Sequence, residues 1–113
     1  MSAVSSMNLS ELQARALRAS SLLKAMSNPV RLLVLCQLAE GEKSVGELER
    51  VVDVSQSALS QHLALLRSRR LVKFRREGQT LYYSLDGAEA PALLAALYQV
   101  YCGKPTRRAL ASA

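Results

Sequence analysis

The side chains able to do covalent chemistry in this chain of 113 residues are few: Cys36, Cys102 and the single histidine, His62. A thiol enzyme would need a CxxC pair or a thiol beside a base. Neither arrangement is present: there is no CxxC, and no histidine or carboxylate is positioned as a base for either cysteine. A metal centre needs clustered Cys, His or carboxylate ligands, and His62 has no such company. Unassisted, free cysteine behaves as a small core residue. The first ten residues show no basic region followed by an apolar run, so a reducing compartment is expected, in which two cysteines are not expected to form a structural disulfide.

A second kind of chemistry, non-covalent, is written into Ser55-Gln56-Ser57-Ala58-Leu59-Ser60-Gln61-His62-Leu63. Leu59, Leu63 and Leu66 recur at the helical period, so one face is buried. Ser55 is placed to cap the helix N-terminus. At about 100° per residue, Ser57, Gln61, Ala64 and Ser68 fall opposite the leucines, with Ser60 on the flank and Gln56 and Arg67 near the seam. An ordinary surface helix usually carries Lys and Glu there. Ser and Gln instead are able to hydrogen-bond base edges in a major groove. His62 sits at the edge of the buried arc, as a structural residue or as a phosphate or base contact.

Arg67, Arg69, Arg70, Lys73, Arg75 and Arg76 then place six of the fifteen basic residues within ten positions, opposed nearby only by Glu77. They could simply solubilise the domain. Beside the polar helix they suit phosphates, which supply affinity and register while base contacts specify sequence. A net charge of +6 and pI near 9.8 fit an anionic partner.

The elements that must carry these residues follow from period and punctuation. One domain's worth of chain, half apolar and with only four Tyr and one Phe, implies a Leu/Val/Ala core made mainly of helices. Residues 1–8 read as a flexible lead-in. Leu9, Leu12, Ala16, Ala19, Leu23 and Met26 form a seam suited to helix packing. Asn28-Pro29 starts a second helix running to about Glu40 and stopping at Gly41. It is apolar on every side, so a central position is expected, with Cys36 inside it. Ser44-Val45-Gly46-Glu47 is a capping box opening a short helix. Asp53-Val54 turns into the Ser55 helix, a helix-turn-helix. Residues 71–76 and 80–85 alternate around Glu77-Gly78-Gln79 as a β-hairpin. A last helix starts near Asp86 or Glu89 and carries Leu94, Leu97, Tyr98, Tyr101 and Cys102; residues 104–113 form a flexible basic tail. The longest apolar run, Ala92 to Tyr98, is far short of the ~20 residues a bilayer span requires, so the expected location is the cytoplasm and no membrane partner is expected.

The expected fold is mainly α with a small β-hairpin wing, a winged helix-turn-helix with an extra helix at each end. On Leu22 through Leu32, Ser44 through Leu48 and Ser55 through Leu63, the chain resembles the ArsR-type family of bacterial transcriptional repressors, over roughly residues 9–103. The resemblance implies a homodimer through the N- and C-terminal helices, bound to an imperfect palindrome of double-stranded operator DNA. Its recognition helices would then stand about one DNA turn, ~34 Å, apart. Base contacts fall to Gln56, Ser57, Ser60 and Gln61, with His62 as a further candidate, and phosphates to Arg67, Lys73, Arg75 and Arg76. The family's thiolate metal site would fall in Glu47-Leu48-Glu49-Arg50-Val51, which has no cysteine. Its other site would use the last helix, which offers Asp86 and Glu89 but no histidine. No metal or other cofactor is therefore expected.

The texts Leu33-Val34-Leu35-Cys36 and Tyr98-Gln99-Val100-Tyr101-Cys102 are similar to those of the persulfide- and redox-sensing dithiol branch of that family, the BigR, SqrR and HlyU type. That likeness implies a non-enzymatic repressor that holds DNA with Cys36 and Cys102 reduced. It lets go when reactive sulfur species, persulfide or polysulfide, or else peroxide, join the two sulfurs directly or through added sulfur. Genes for sulfide oxidation and persulfide removal are the expected targets. A direct disulfide requires Cα atoms within about 7 Å, and a resting pair held somewhat further apart would favour bridging by extra sulfur. The alternatives are a redox-insensitive or architectural DNA binder with structural cysteines, and a metal-responsive repressor.

Overall fold

The computed structural model describes residues 7–103, within which five helices and three strands follow the order α1 (Leu9–Met26), α2 (Pro29–Ala39), β1 (Lys43–Ser44), α3 (Val45–Val51), α4 (Gln56–Ser68), β2 (Val72–Glu77), β3 (Thr80–Leu85) and α5 (Glu89–Tyr101). The expected basic tail at 104–113 and residues 1–6 of the expected lead-in lie outside the described residues. Asn8, read as lead-in, is instead the N-cap of α1: its side-chain oxygen accepts from the Glu11 N–H at 2.8 Å.

Local chemistry accounts for the helix ends. Asn28 caps α2, its Oδ1 accepting from the N–H groups of Val30 and Arg31, and Pro29 fills the first helical position, where no N–H is needed. At Ser44 the capping box is complete: Oγ accepts from the Glu47 N–H, and the Glu47 carboxylate accepts from the Ser44 N–H at 2.8 Å. Helix α4 ends in a Schellman motif. The Leu71 N–H donates to the Leu66 carbonyl at 3.0 Å and the Arg70 N–H to the Arg67 carbonyl at 2.9 Å. The left-handed residue of that motif is Arg70, at φ 60°, where glycine is the usual occupant. Leu66 and Leu71, which the motif brings together, are both buried.

The core is a single cluster to which every helix contributes. Leu35, Leu48, Leu59, Leu66, Val34 and Val72 are almost completely buried, each worth about 1.5–3 kcal/mol by removal from water. Leu59, Leu63 and Leu66 are the buried set of α4, as their spacing requires. The sheet is antiparallel in the order β1-β3-β2. The β2–β3 pairing sets Phe74 opposite Tyr83 and Arg75 opposite Tyr82, and the two-residue turn places Gly78 at φ 63°. Strand β1 has no counterpart in the sequence reading. Its two residues, Lys43 and Ser44, pair with Tyr83 and Tyr82 and tie the wing to the end of α2.

The all-round apolar α2 is not buried all round. Val34, Leu35 and Leu38 are core, whereas Leu33 and Cys36 are exposed in the single subunit. Its outward stripe looks across at α5, whose Tyr98, Val100 and Tyr101 are also exposed, as are Leu9, Leu17 and Leu23 on α1.

Candidate functional site

Two regions carry chemistry, and the core positions both. The first is the outward arc of α4. With the leucine stripe fixed in the core, Gln56, Ser57, Ser60, Gln61 and Ala64 together line one shallow, open depression, and all five are exposed. None carries a charge. His62 lies at the margin, half-buried, and its Nδ1 faces Arg31 Nη1 at 3.4 Å. Arg31 in turn donates from Nε to the Ala25 carbonyl at 2.6 Å. That arrangement makes His62 part of the contact between the reading helix and the α1–α2 corner.

Beside α4, the basic run is split by strand geometry. Successive strand side chains point to opposite faces, so Phe74 and Arg76 share one face of β2 and Lys73, Arg75 and Glu77 the other. Arg67, from the last turn of α4, lies over the Phe74 ring at 4.9 Å to its centroid. Arg69 donates to Ser21 Oγ at 2.7 Å. Glu77 is not the only nearby opposing charge: Arg75 makes a bidentate pair with Glu42, Nε to Oε2 and Nη2 to Oε1, both 2.8 Å, and reaches Glu77 from Nη1 at 2.6 Å. Its guanidinium also covers the Tyr82 ring at 4.6 Å. Both carboxylates hold the guanidinium's proton more firmly, and Arg75 in return holds the Glu42 carboxyl below its ordinary range. Glu42 had no signal in the sequence, since it follows Gly41 in a loop and meets Arg75 only after the hairpin folds back.

The second region is a groove between α2 and α5. Along α2 and its C-cap, Leu33, Cys36 and the adjacent pair Ala39 and Glu40 recur at intervals of three or four residues, and along α5 and its C-cap so do Pro91, the pair Leu94 and Ala95, the pair Tyr98 and Gln99, and Cys102. These two stripes and Leu85, from the end of β3, line a depression of about 600 Å³. Cys36 and Cys102 thus open into the same space, both exposed and both free thiols. The Cys36 thiol is pushed above its ordinary value, first by burial, then by the neighbouring Cys102 and by Glu40. Lys43 meets Glu40 at 3.7 Å but lines no part of the groove.

A reading helix laid against a two-helix turn, flanked by a basic antiparallel wing, defines a winged helix-turn-helix transcriptional regulator. The sequence pattern of the arsR family of bacterial regulatory proteins matches residues 28–73, from the α2 cap into the wing. The chain is similar to the transcriptional activator HlyU of Vibrio cholerae, 49% identical over 96 residues that cover 85% of this chain and 89% of that protein. The structure of reduced HlyU from Vibrio cholerae superposes with a TM-score of 0.80, at 48% identity over 83% of this chain and 99% of the other. The crystal structure of the transcriptional repressor BigR from Xylella fastidiosa superposes at 0.77, with 42% identity over 87% and 100%. A homodimeric winged helix-turn-helix DNA-binding domain from Mycobacterium bovis superposes at 0.70, with 29% identity over 84% and 87%. The chain belongs to the arsR family and is a DNA-binding transcriptional regulator of the BigR and HlyU group, not an enzyme.

Among the described residues no group of three or more His, Cys, Asp and Glu side chains could hold a metal ion. No helix there is long and apolar enough to cross a membrane.

Proposed function

We propose that the protein is a homodimeric repressor that senses reactive sulfur species through Cys36 and Cys102 and releases operator DNA when the two sulfurs are joined. The observation that carries this is the shared groove: two thiols far apart in the chain, both exposed, open into the same depression between α2 and α5. Helix α2 contacts both α4 and the wing strand β3. A covalent link between α2 and α5 therefore acts on an element packed against the DNA-reading parts.

Dimerisation is supported by the apolar residues that α1 and α5 leave exposed outside the thiol groove, Leu9, Leu17, Leu23, Val100 and Tyr101, and by the homodimeric relative from Mycobacterium bovis. In the DNA complex, Gln56, Ser57, Ser60 and Gln61 read base edges in an imperfect palindrome. Arg67, Lys73 and Arg76 hold phosphates. Arg75, already paired with two carboxylates, sets the angle of the wing. His62 supports α4 through Arg31.

The test treats reduced protein with a persulfide donor or with peroxide and divides each sample. One half is digested for mass analysis and the other is titrated with operator DNA. A Cys36–Cys102 cross-linked peptide pair of one subunit, appearing together with loss of binding, is expected. Retained binding by fully cross-linked protein would refute the sensor reading and leave a redox-insensitive DNA binder.

A further inference from the structure

The walls of the thiol groove bear on which sulfur carrier can enter it. Leu33, Leu85, Pro91, Leu94, Ala95 and Tyr98 make it predominantly apolar, and Glu40 is its one charged lining residue among the described residues. Among the described residues no arginine or lysine lines the groove to receive a carboxylate, and Glu40 opposes one. We propose that this groove selects sulfane sulfur carried on an uncharged, apolar tail over the same sulfur on an anionic tail. The proposal rests on the sensor reading above and adds the chemical class of the donor.

The step balances without a further oxidant. One cysteine thiolate attacks the outer sulfur of R–S–SH; the S–S bond of the donor breaks, the electron pair leaves with RS⁻, and the cysteine becomes Cys–S–SH. The second thiolate attacks the cysteine-bound sulfur of that persulfide and expels HS⁻, which closes the Cys36–Cys102 bond. Two thiols are oxidised and one sulfane sulfur is reduced to sulfide, with RSH and H₂S as products. A second donor molecule entering before closure leaves one extra sulfur in the bridge. In either route the tail R must occupy the groove during the first attack, so its fit to Leu33, Leu94 and Tyr98 is felt in the rate.

Two effects set the expected size. Burying one methylene completely is worth about fourfold in an equilibrium (from ~0.8 kcal/mol), so in a half-open groove the rate should rise about twofold per added methylene. A unit charge acting on another across several ångström of well-solvated medium contributes about threefold, which disfavours a carboxylate tail near Glu40.

The experiment follows first-step persulfidation of the full-length Cys102→Ser and Cys36→Ser proteins by intact mass, using persulfides of ethanethiol, butanethiol, N-acetylcysteamine and 3-mercaptopropionate. Model thiol rates for each donor correct for intrinsic reactivity. The butyl donor should outpace the ethyl donor by about fourfold, and the N-acetylcysteamine donor should outpace the carboxylate donor by up to about threefold, the limit set by the Lys43 partner of Glu40. Glu40→Gln should close the second gap while leaving the first. Equal corrected rates for all four donors, or faster reaction with the carboxylate, would overturn the donor class while the sensor reading stands. Absence of any Cys36–Cys102 bridge in the unsubstituted protein with every donor would instead overturn the sensor reading.

Discussion

Arg75 is the residue for which sequence and structure point to different roles, and the salt dependence of DNA binding separates them. In the sequence it is one of six basic residues beside the reading helix. In the structure its guanidinium is shared between Glu42 and Glu77 and lies over Tyr82. Replacing the pair together, Glu42→Gln with Arg75→Gln, removes one positive and one negative charge and leaves the net charge unchanged. A free phosphate contact contributes about 0.9 to the slope of log K against log salt. If Arg75 were such a contact in both halves of a dimer, the double variant would lose about 1.8 from the slope. The affinity ratio between about 50 and about 200 mM salt would then shrink about twelvefold. If Arg75 is engaged internally and orients the wing, the slope is unchanged. Binding then weakens by the same factor at every salt concentration, giving a line parallel to that of the unaltered protein. Fluorescence anisotropy with labelled operator at five salt concentrations supplies both slopes, with Arg76→Gln as the reference that should lose the full amount. A loss of about 1.8 for the Glu42/Arg75 pair would refute the wing-orienting role.

Three further outcomes follow from particular residues. Arg70→Gly relieves a left-handed position that costs an L-residue about 1–2 kcal/mol. Thermal unfolding should therefore shift upward by several degrees, and an unchanged or lower midpoint would contradict the strain at that site. In Cys102→Ser, alkylation of Cys36 should keep accelerating beyond pH 9, because burial and Glu40 still disfavour the thiolate; Glu40→Gln should move the inflection downward, and a plateau near neutrality would contradict the groove's electrostatics. Gln61→Ala should change preference among operator variants by about 1–3 kcal/mol at one position while leaving the salt slope alone; a uniform loss on all sequences would remove Gln61 from base contact.

Where structure follows from adjacent residues, the sequence reveals it directly. The capping box at Ser44, the Asn28-Pro29 start of α2, the leucine stripe of α4 and the hairpin around Gly78 each depend on a few neighbouring side chains. Features that depend on long-range packing were not visible. Strand β1 is two residues long, too short to show alternation, and exists because Tyr82 and Tyr83 offer it partners. The exposure of Cys36 was hidden by the apolar composition of α2: a helix can be apolar all round because one stripe enters the core and another lines a groove. Glu42 meets Arg75 across 33 positions of chain, a distance no local pattern reports. The shared groove of Cys36 and Cys102 belongs to the same class. Helical spacing identifies each stripe, but only the packing of α5 against α2 brings the stripes face to face.

The central claim is that linking Cys36 to Cys102 changes the grip on DNA. The measurement that tests it most directly is the operator Kd of one protein sample in three states: reduced, bridged by persulfide, and reduced again. A coupling of ordinary size predicts a loss of about 5- to 150-fold on bridging, full recovery on reduction, and no change for Cys36→Ser carried through the same cycle. Equal affinity of the reduced and the fully bridged protein would contradict the account.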